Sequence, residues 1–395
     1  MKAYTSDGFL RGALHNLGPS DLTMYVYIPY HPTIFFIVLP FALIPIGPAI
    51  VTWLIFLASV FIFASFLVWN IASHYQPSIS GFLVFLTLVN SEFILISGNA
   101  GGLAIGLCVI AVWCFYKDRF LHAGIACFAL SLLIKPHDTG LIWLFFFLLS
   151  GGAYRRRAIQ VFAVACVLAI PMVLWISHIA PNWIQELSYN LTLLSAKGGL
   201  ADPGPATTGG RGIAMIISLQ SIFSAFSDNP RIYNLLTALT CGPILLVWSL
   251  HTLRMKVTPE RLWFGLASIA PFSMLPVYHR ELDAKVLLLT IPACAMLWAR
   301  GGFIGKLSLL LTTLGILLTG DIPWAVFFAV LSKMHVAPAY LPLLNAVEAF
   351  PQPLILLAMS IFYLWAYVRY DPSYSLTKDQ DSNLQRPTSS AIAES

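Results

Sequence analysis

Charged side chains are scarce in this sequence. Aspartate, glutamate, lysine and arginine make up 10% of the 395 residues, whereas hydrophobic residues make up 58%. A soluble domain usually has about a quarter charged residues, and it could not hide this much apolar surface from water. A lipid bilayer removes that requirement. The composition therefore excludes an ordinary soluble protein and predicts an all-α, polytopic integral membrane protein.

The sequence also lacks the patterns of several other classes. It has no CxxC pair, and its six cysteines lie within apolar runs, so neither a disulfide framework nor a metal-binding set is indicated. We therefore expect no cofactor and no metal. The net charge of +5 is small and scattered, which argues against a nucleic-acid partner. The first 21 residues are polar and do not form a signal peptide.

Uncharged runs and prolines divide the chain into spans. The 37 residues from Thr33 to Trp69 carry no charge, and one helix of that length would be about 55 Å long, against a bilayer core of about 30 Å. Prolines within this run predict a short element at 33–46 and a span at 49–72. Further spans are predicted at 79–97, 100–116, 156–179, 232–253, 260–278, 283–299, 304–320 and 350–368.

Lysine and arginine positions give the orientation, since basic loops stay in the cytosol. The predicted cytosolic loops contain Lys117 and Arg119, Arg155 to Arg157, Arg254 to Arg261, Arg300 and Lys306, and Arg369. Two short apolar pieces, 121–134 and 139–150, lie between basic flanks, so the chain must enter the membrane and return. The turn from Ile134 to Asp138 then lies toward the outer side.

This orientation places residues 1–48 outside with no preceding span. We therefore expect either that a first helix is missing upstream or that the topology is unusual. Residues 1–370 are predicted to form one transmembrane domain. The polar, Ser/Pro-rich tail 371–395 is predicted to be a disordered cytosolic segment.

Four polar stretches share the outer side in this topology. They are the N-terminal segment with Asp7, Asp21, Tyr30 and His31, the Lys135–Asp138 turn, a long loop at 180–231, and the turn from Tyr278 to Lys285. Ionisable residues in a membrane are costly and usually mark a site or a pair. Lysine and arginine there suit an anion such as phosphate.

Simpler interpretations stay open for these residues. Lys135 can extend from a helix end to the headgroups, and the 278–285 turn can be a charged hairpin in which Arg280 pairs with Glu281 or Asp283. Glu92 is predicted to be a buried, hydrogen-bonded acid within its span. The long loop begins with an amphipathic stretch at Trp183 and contains a Gly/Pro-rich part, which predicts a cover over a membrane-facing site.

Several motifs occur in a recognisable order. Tyr30-His31-Pro32, followed by IFFIVLPFALIP and Trp53, resembles the signature of glycosyltransferase family 87. Gly98-Asn99, Ala123-Gly124, the Leu133–His137 stretch, the YRRRA segment and the Pro276–Lys285 turn are similar to later parts of that family. Asn99 stands where glutamine is usual. The family's outer-loop catalytic aspartate would precede Met1, since Met1–Tyr4 resembles the tail of its D-x-x-x-Y pattern.

The resemblance implies a GT-C-like helical bundle with short or re-entrant helices and a long outer loop. It implies a hexosyltransferase that moves a mannose-like sugar from a polyprenyl phosphate sugar donor to a lipid or glycan acceptor. The reaction would occur among membrane lipids on the non-cytosolic face of a bacterial inner membrane. A transporter or flippase, or a truncated non-catalytic homologue, is the alternative. A transporter is less expected because the two predicted breaks, at 33–48 and 134–139, have no counterpart in the second half.

Candidate site residues follow from this mechanism. Asp7, and after it Asp21, is the base candidate that accepts the acceptor's proton. The candidates for donor phosphate binding are Lys135, His137, His279, Arg280 and Lys285. The other polar site candidates are Tyr30, His31, Asn99, Tyr278 and Asp283.

Overall fold

The protein is an all-α polytopic membrane protein. The computed structural model describes residues 32–199, 201–204, 216–333, 347 and 350–369, and within these ranges it contains no β-strand. The α-helices are α1 (Phe35–Ala42), α2 (Ile46–Ala72), α3 (Pro77–Val89), α4 (Glu92–Ser97), α5 (Ala100–Lys117), α6 (Leu121–Ile134), α7 (Pro136–Leu148), α8 (Gly152–Ile179), α9 (Trp183–Ser195), α10 (Leu219–Phe226), α11 (Pro230–Arg254), α12 (Pro259–Ser273), α13 (Ile291–Ala299), α14 (Gly302–Leu318), α15 (Asp321–Lys333) and α16 (Pro351–Arg369). Two 3-10 helices cover Pro32–Ile34 and Glu281–Thr290.

Six helices of the described part are long and apolar enough to cross a membrane. They are α2, α5, α8, α11, the continuous 281–299 helix and α16, and α14 with the start of α15 forms a seventh candidate bent by 59°. Several of these helices present large apolar side chains outward, including Ile55 and Phe63 on α2, Val167 and Leu174 on α8, and Leu239 on α11. Such surfaces suit lipid contact rather than water.

The interior of the bundle is formed by α5, α12 and the 281–299 helix, which are buried along almost their whole lengths. The most extensive packing joins α5 to α6 and to α2, and α12 to α16. Small residues allow the close approaches: a Cβ on Gly106 would lie 2.9 Å from Val60 of α2, and one on Gly124 would lie 2.7 Å from Cys114 of α5. The polar cluster described below lies at one end of this interior.

The predicted breaks at the start and at the centre of the chain are confirmed. Pro40 lies inside the short α1, which ends at Ala42 before α2 begins. The apolar pieces after Arg119 form two short helices, α6 and α7, that meet at Lys135.

Other predicted boundaries differ from the structure. The predicted 79–97 span is divided into α3 and α4 at Asn90 and Ser91, and the predicted 260–278 span stops at Ser273. Helix α15 was not predicted at all. The prediction for Glu92 is wrong: this residue begins α4 and is exposed.

The long loop is partly helical. It contains α9, which begins at Trp183 as the amphipathic pattern predicted, and α10. Asn190, the acceptor of an Asn-Leu-Thr glycosylation sequon, is buried, which makes that sequon a poor modification site. The predicted disordered tail 371–395 lies outside the described residues.

Candidate active site

Lys135 occupies the break between α6 and α7. Its backbone is extended (φ −152°, ψ 80°), because the following Pro136 disfavours the helical conformation in the residue before it. Pro136 then begins α7, where its missing N–H is no loss. Thr33 supports the end of α6 by donating a hydrogen bond of 2.7 Å to the carbonyl of Leu133. The break thus holds a lysine at a fixed place, 9% exposed.

The Lys135 side chain joins two distant parts of the sequence. Its ammonium donates a hydrogen bond to Oδ1 of Asp283, 148 residues further along, and lies 3.2 Å from Oδ2 of Asp138. Two histidines approach Oδ1 of Asp138, with Nε2 of His137 at 3.3 Å and Nε2 of His279 at 3.5 Å. We call these five residues the charged cluster.

The segment before the 281–299 helix positions His279 and Asp283. Oδ2 of Asp283 accepts a hydrogen bond of 3.1 Å from the backbone N–H of Arg280, which caps the 3-10 helix and leaves Oδ1 for Lys135. The end of the long 180–231 loop pairs with this segment: the N–H of Ile217 donates to the carbonyl of His279 (3.0 Å). His279 therefore has a fixed backbone and a fully buried side chain.

The N-terminal tip of α5 lies against the same cluster. Asn99 caps the helix by accepting a hydrogen bond of 2.7 Å from the N–H of Gly101. A Cβ on Gly101 would lie 3.2 Å from Oδ1 of Asp283 and 3.2 Å from Nζ of Lys135. Glycine is thus required for the helix tip to approach the charged side chains this closely, and a helix N-terminus favours a nearby anion.

An apolar cavity reaches the other side of this tip. Its volume is about 600 Å³, and it is lined by α1, by the start of α2 and by residues 96–100. Trp53 closes one wall, where its indole donates a hydrogen bond of 2.8 Å to the carbonyl of Gly98. Asn99 also lines the cavity. The cavity therefore ends at the helix tip that borders the charged cluster.

The environment shifts the titration of two groups in the turn before the 281–299 helix. Burial lowers the pKa of His279, but the nearby negative charge of Asp138 outweighs burial and raises this pKa above its ordinary value. Burial raises the pKa of Tyr278 to about 12, against the opposing charge of Arg280. Tyr278 therefore keeps its proton at neutral pH and can donate a hydrogen bond.

Most of the predicted site residues in the described ranges lie in this region. Lys135, His137, His279 and Asp283 are members of the charged cluster. The guanidinium of Arg280 lies 3.4 Å from Glu281, as the simpler interpretation of this turn predicted. Asn99 and Tyr278, also predicted site residues, lie beside the charged cluster. The other predicted site residues, Asp7, Asp21, Tyr30 and His31, lie outside the described residues.

Lys285 is the exception, because the structure does not bring it into the charged cluster. Its ammonium donates hydrogen bonds to the backbone carbonyls of Asn90 and Thr319 and lies 3.6 Å from Oδ1 of Asp321. These partners belong to two helix breaks, between α3 and α4 and between α14 and α15. Helix breaks leave backbone carbonyls without intrahelical partners, and Lys285 satisfies two of them.

Two site residues were missed. Asp138, 2% exposed, lies at the centre of the charged cluster, although the sequence analysis used it only to describe the turn. Its place directly after His137 was the available signal. Gly101 was missed because nothing in the sequence indicates which glycine approaches residues 34 and 182 positions further along.

Comparison with known proteins gives one family. The sequence model of glycosyltransferase family 87 matches residues 27–277, more than half of the chain. No curated protein and no solved structure matches at the significance required. The matched range includes Lys135, His137, Asp138 and the whole cavity lining, and it ends just before Tyr278.

Proposed function

Because this chain belongs to glycosyltransferase family 87, we propose that it transfers a mannose-like hexose from a polyprenyl phosphate sugar. The acceptor is a lipid or glycan on the non-cytosolic face of a bacterial inner membrane. The family supports a membrane glycosyltransferase. The identity of the donor rests on the geometry below.

One observation carries the choice of donor: an apolar cavity and a buried charged cluster share the tip of α5. A polyprenyl phosphate sugar is a long hydrocarbon chain joined to an anionic phosphate and a polar sugar. The cavity of about 600 Å³ between α1 and α2 has the size of a ligand pocket and suits part of the isoprenoid chain. The phosphate would then meet the helix tip and the cluster.

The proposed reaction inverts the anomeric carbon. The acceptor hydroxyl oxygen attacks that carbon, the bond from the carbon to the phosphate oxygen breaks, and polyprenyl phosphate leaves with the bonding electron pair. A carboxylate takes the hydroxyl proton. We assign this base to Asp7, with Asp21 second. Lys135, His137, His279 and Arg280 face the negative charge that develops on the leaving phosphate.

The side chains of the cluster differ in access. The side chain of His137 is 43% exposed and that of Arg280 is 20% exposed, whereas those of Asp138 and His279 are almost fully buried. A substrate would therefore approach along the His137 and Arg280 side. Asp138 would act from behind by holding the rings of His137 and His279 in place.

The direct test uses purified protein and labelled polyprenyl phosphate sugars in detergent. The expected product is polyprenyl phosphate, with the label passing to an acceptor. Lys135→Ala and Arg280→Ala should lower turnover at least tenfold, while Lys256→Ala, an exposed lysine on a different loop, should not. Undiminished turnover by Lys135→Ala or Arg280→Ala would remove that residue from the site.

A transporter or flippase is the second candidate, and one observation favours it. The bend of 59° between α14 and α15 supplies a broken helix in the second half of the chain, which the sequence analysis did not find. This break is held by Lys285 and is not part of the cavity lining. In vesicles, a flippase would move the labelled donor across the membrane intact, whereas a transferase would cleave it.

A further inference from the structure

The charged cluster has more negative than positive formal charge. Counting its own residues and the adjacent Arg280–Glu281 pair, it has two cations, Lys135 and Arg280, against three carboxylates. With neutral histidines the sum is −1. With neutral histidines and no bound cation this set would repel an anionic phosphate, so phosphate binding requires additional positive charge.

Four side chains of the cluster have the chemistry and spacing of metal ligands. His137, Asp138, His279 and Asp283 each offer one ligand atom, and these four atoms lie within 4.8 Å of one another. In a tetrahedral site with bonds of about 2.1 Å, neighbouring ligand atoms lie about 3.4 Å apart. The two histidine nitrogens lie 3.3 and 3.5 Å from Oδ1 of Asp138, so these two distances between ligand atoms already fit a tetrahedral site.

The hydrogen bonding of His279 independently indicates a cation. Its Nδ1 lies 3.0 Å from the backbone carbonyl of Val277, which can only accept, so Nδ1 carries the proton. In the neutral ring Nε2 then carries a lone pair, and this lone pair faces a carboxylate oxygen of Asp138. Neither Nε2 nor either oxygen of Asp138 has a hydrogen bond to the described part of the chain. Metal-binding histidines usually show this arrangement, with one ring N–H donated to a carbonyl and the other nitrogen on the ion.

We propose that His137, Asp138, His279 and Asp283 form a binding site for one divalent transition-metal ion, which lies between the ring nitrogens and the carboxylates. Two imidazoles with two carboxylates suit zinc or manganese better than magnesium, which prefers oxygen ligands. The ion would add two positive charges to this negatively charged cluster. Its part in phosphate recognition rests on the transfer reaction proposed above.

Lys135 has a defined place in this site. Its ammonium now lies between Asp138 and Asp283, where it balances the same carboxylates that would bind the ion. Ion and ammonium therefore compete, and the lysine side chain must withdraw when the ion binds. Its long flexible chain permits this movement.

The test measures metal content rather than activity. The full-length protein, purified in detergent with an affinity tag that contains no histidine, is stripped with EDTA and dialysed against buffered zinc. Mass spectrometry of the metal should give about one zinc per chain. His279→Gln and Asp138→Asn should bind at least tenfold more weakly. His178→Gln, an exposed histidine at the end of α8, is the matched control and should bind as the wild type does.

His137→Gln keeps the test decisive if the buried substitutions prevent folding, and Lys135→Met adds a second readout. His137→Gln changes the partly exposed ligand and should also weaken zinc binding. Lys135→Met should bind zinc at least as tightly as the wild type, because it removes the competing ammonium. Zinc should raise the unfolding temperature of the wild type but not of His137→Gln.

The proposal is overturned if the wild type binds no more zinc or manganese than His137→Gln. Loss of zinc from the His178→Gln control would overturn it as well. The result is distinct from the test of the transfer reaction. Full sugar transfer by the metal-free enzyme would exclude the ion from the transfer reaction and leave the proposed function intact. Stoichiometric zinc without sugar transfer would keep the site and reject the reaction.

Discussion

Replacement of Lys135 by methionine tests whether the charged cluster holds the two halves of the chain together. Methionine keeps much of the side-chain length but removes the ammonium that joins Asp138 to Asp283, both at most 3% exposed. Removing one partner of a buried ion pair costs about 3–5 kcal/mol. This corresponds to roughly two to four orders of magnitude in the unfolding equilibrium constant.

The double variant distinguishes a specific pair from general damage. Asp283→Asn alone removes one carboxylate but leaves Lys135 buried, whereas Lys135→Met/Asp283→Asn removes both partners. We expect the double variant to be about 1–3 kcal/mol more stable than the sum of the single losses predicts. Reversible unfolding in mixed micelles with EDTA present would measure this difference. The labelling of buried free thiols such as Cys108 and Cys294 would report it.

Additive losses, within about 0.5 kcal/mol, would refute the direct contact between Lys135 and Asp283. A loss for Lys135→Met no larger than for an exposed lysine, such as Lys256→Met, would show that the cluster does not stabilise the fold. Either result would also weaken the placement of the proposed active site.

Three other predictions concern the helix tip, the cavity and the helix breaks. Gly101→Ala would force its Cβ against the cluster, so we expect a loss of about 1–3 kcal/mol in unfolding free energy and reduced turnover. Gly242→Ala on α11, where an added Cβ would meet no atom of another residue within 4 Å, should be neutral or slightly stabilising. Trp53→Phe removes the hydrogen bond to the turn before α5, so it should lower the free energy of unfolding by about 0.5–1.5 kcal/mol. It should also raise KM for the lipid donor more than it lowers kcat. Lys285→Met should destabilise the protein by more than about 2 kcal/mol, and by much more than Lys256→Met does, because it leaves carbonyls at the two helix breaks without a partner. Its zinc content should not change. Equal effects of the two substitutions on stability would contradict the role of Lys285 at the breaks.

The spans could be predicted because the bilayer imposes a length on apolar segments. The break at Lys135 followed from the same rule combined with basic flanks and Pro136, and the structure has it at that residue. The break at Asn90 could not be found in this way. It contains neither proline nor glycine, and one of its carbonyls is satisfied by Lys285, 195 residues away.

The site could be predicted only as separate parts. Hydropathy indicated that the Lys135 turn and the 278–285 turn carry unusual charge, but it gave no distance between them. Their contact depends on the packing of α5 against α6 and against the 3-10 helix at Glu281. The adjacent His137 and Asp138, together with His279 and Asp283 four residues apart, were a weak metal-binding signal that the sequence analysis did not use.

The pairing of residues 216–219 with residues 275–280 has a mechanical consequence. The N–H of Ile217 donates to His279, and the N–H of Leu219 donates to Leu275. Pulling this stretch away from the bundle would break both bonds and release the backbone that holds His279 beside Asp138. We therefore expect an antibody or crosslink that shifts this stretch to inactivate the protein without entering its interior.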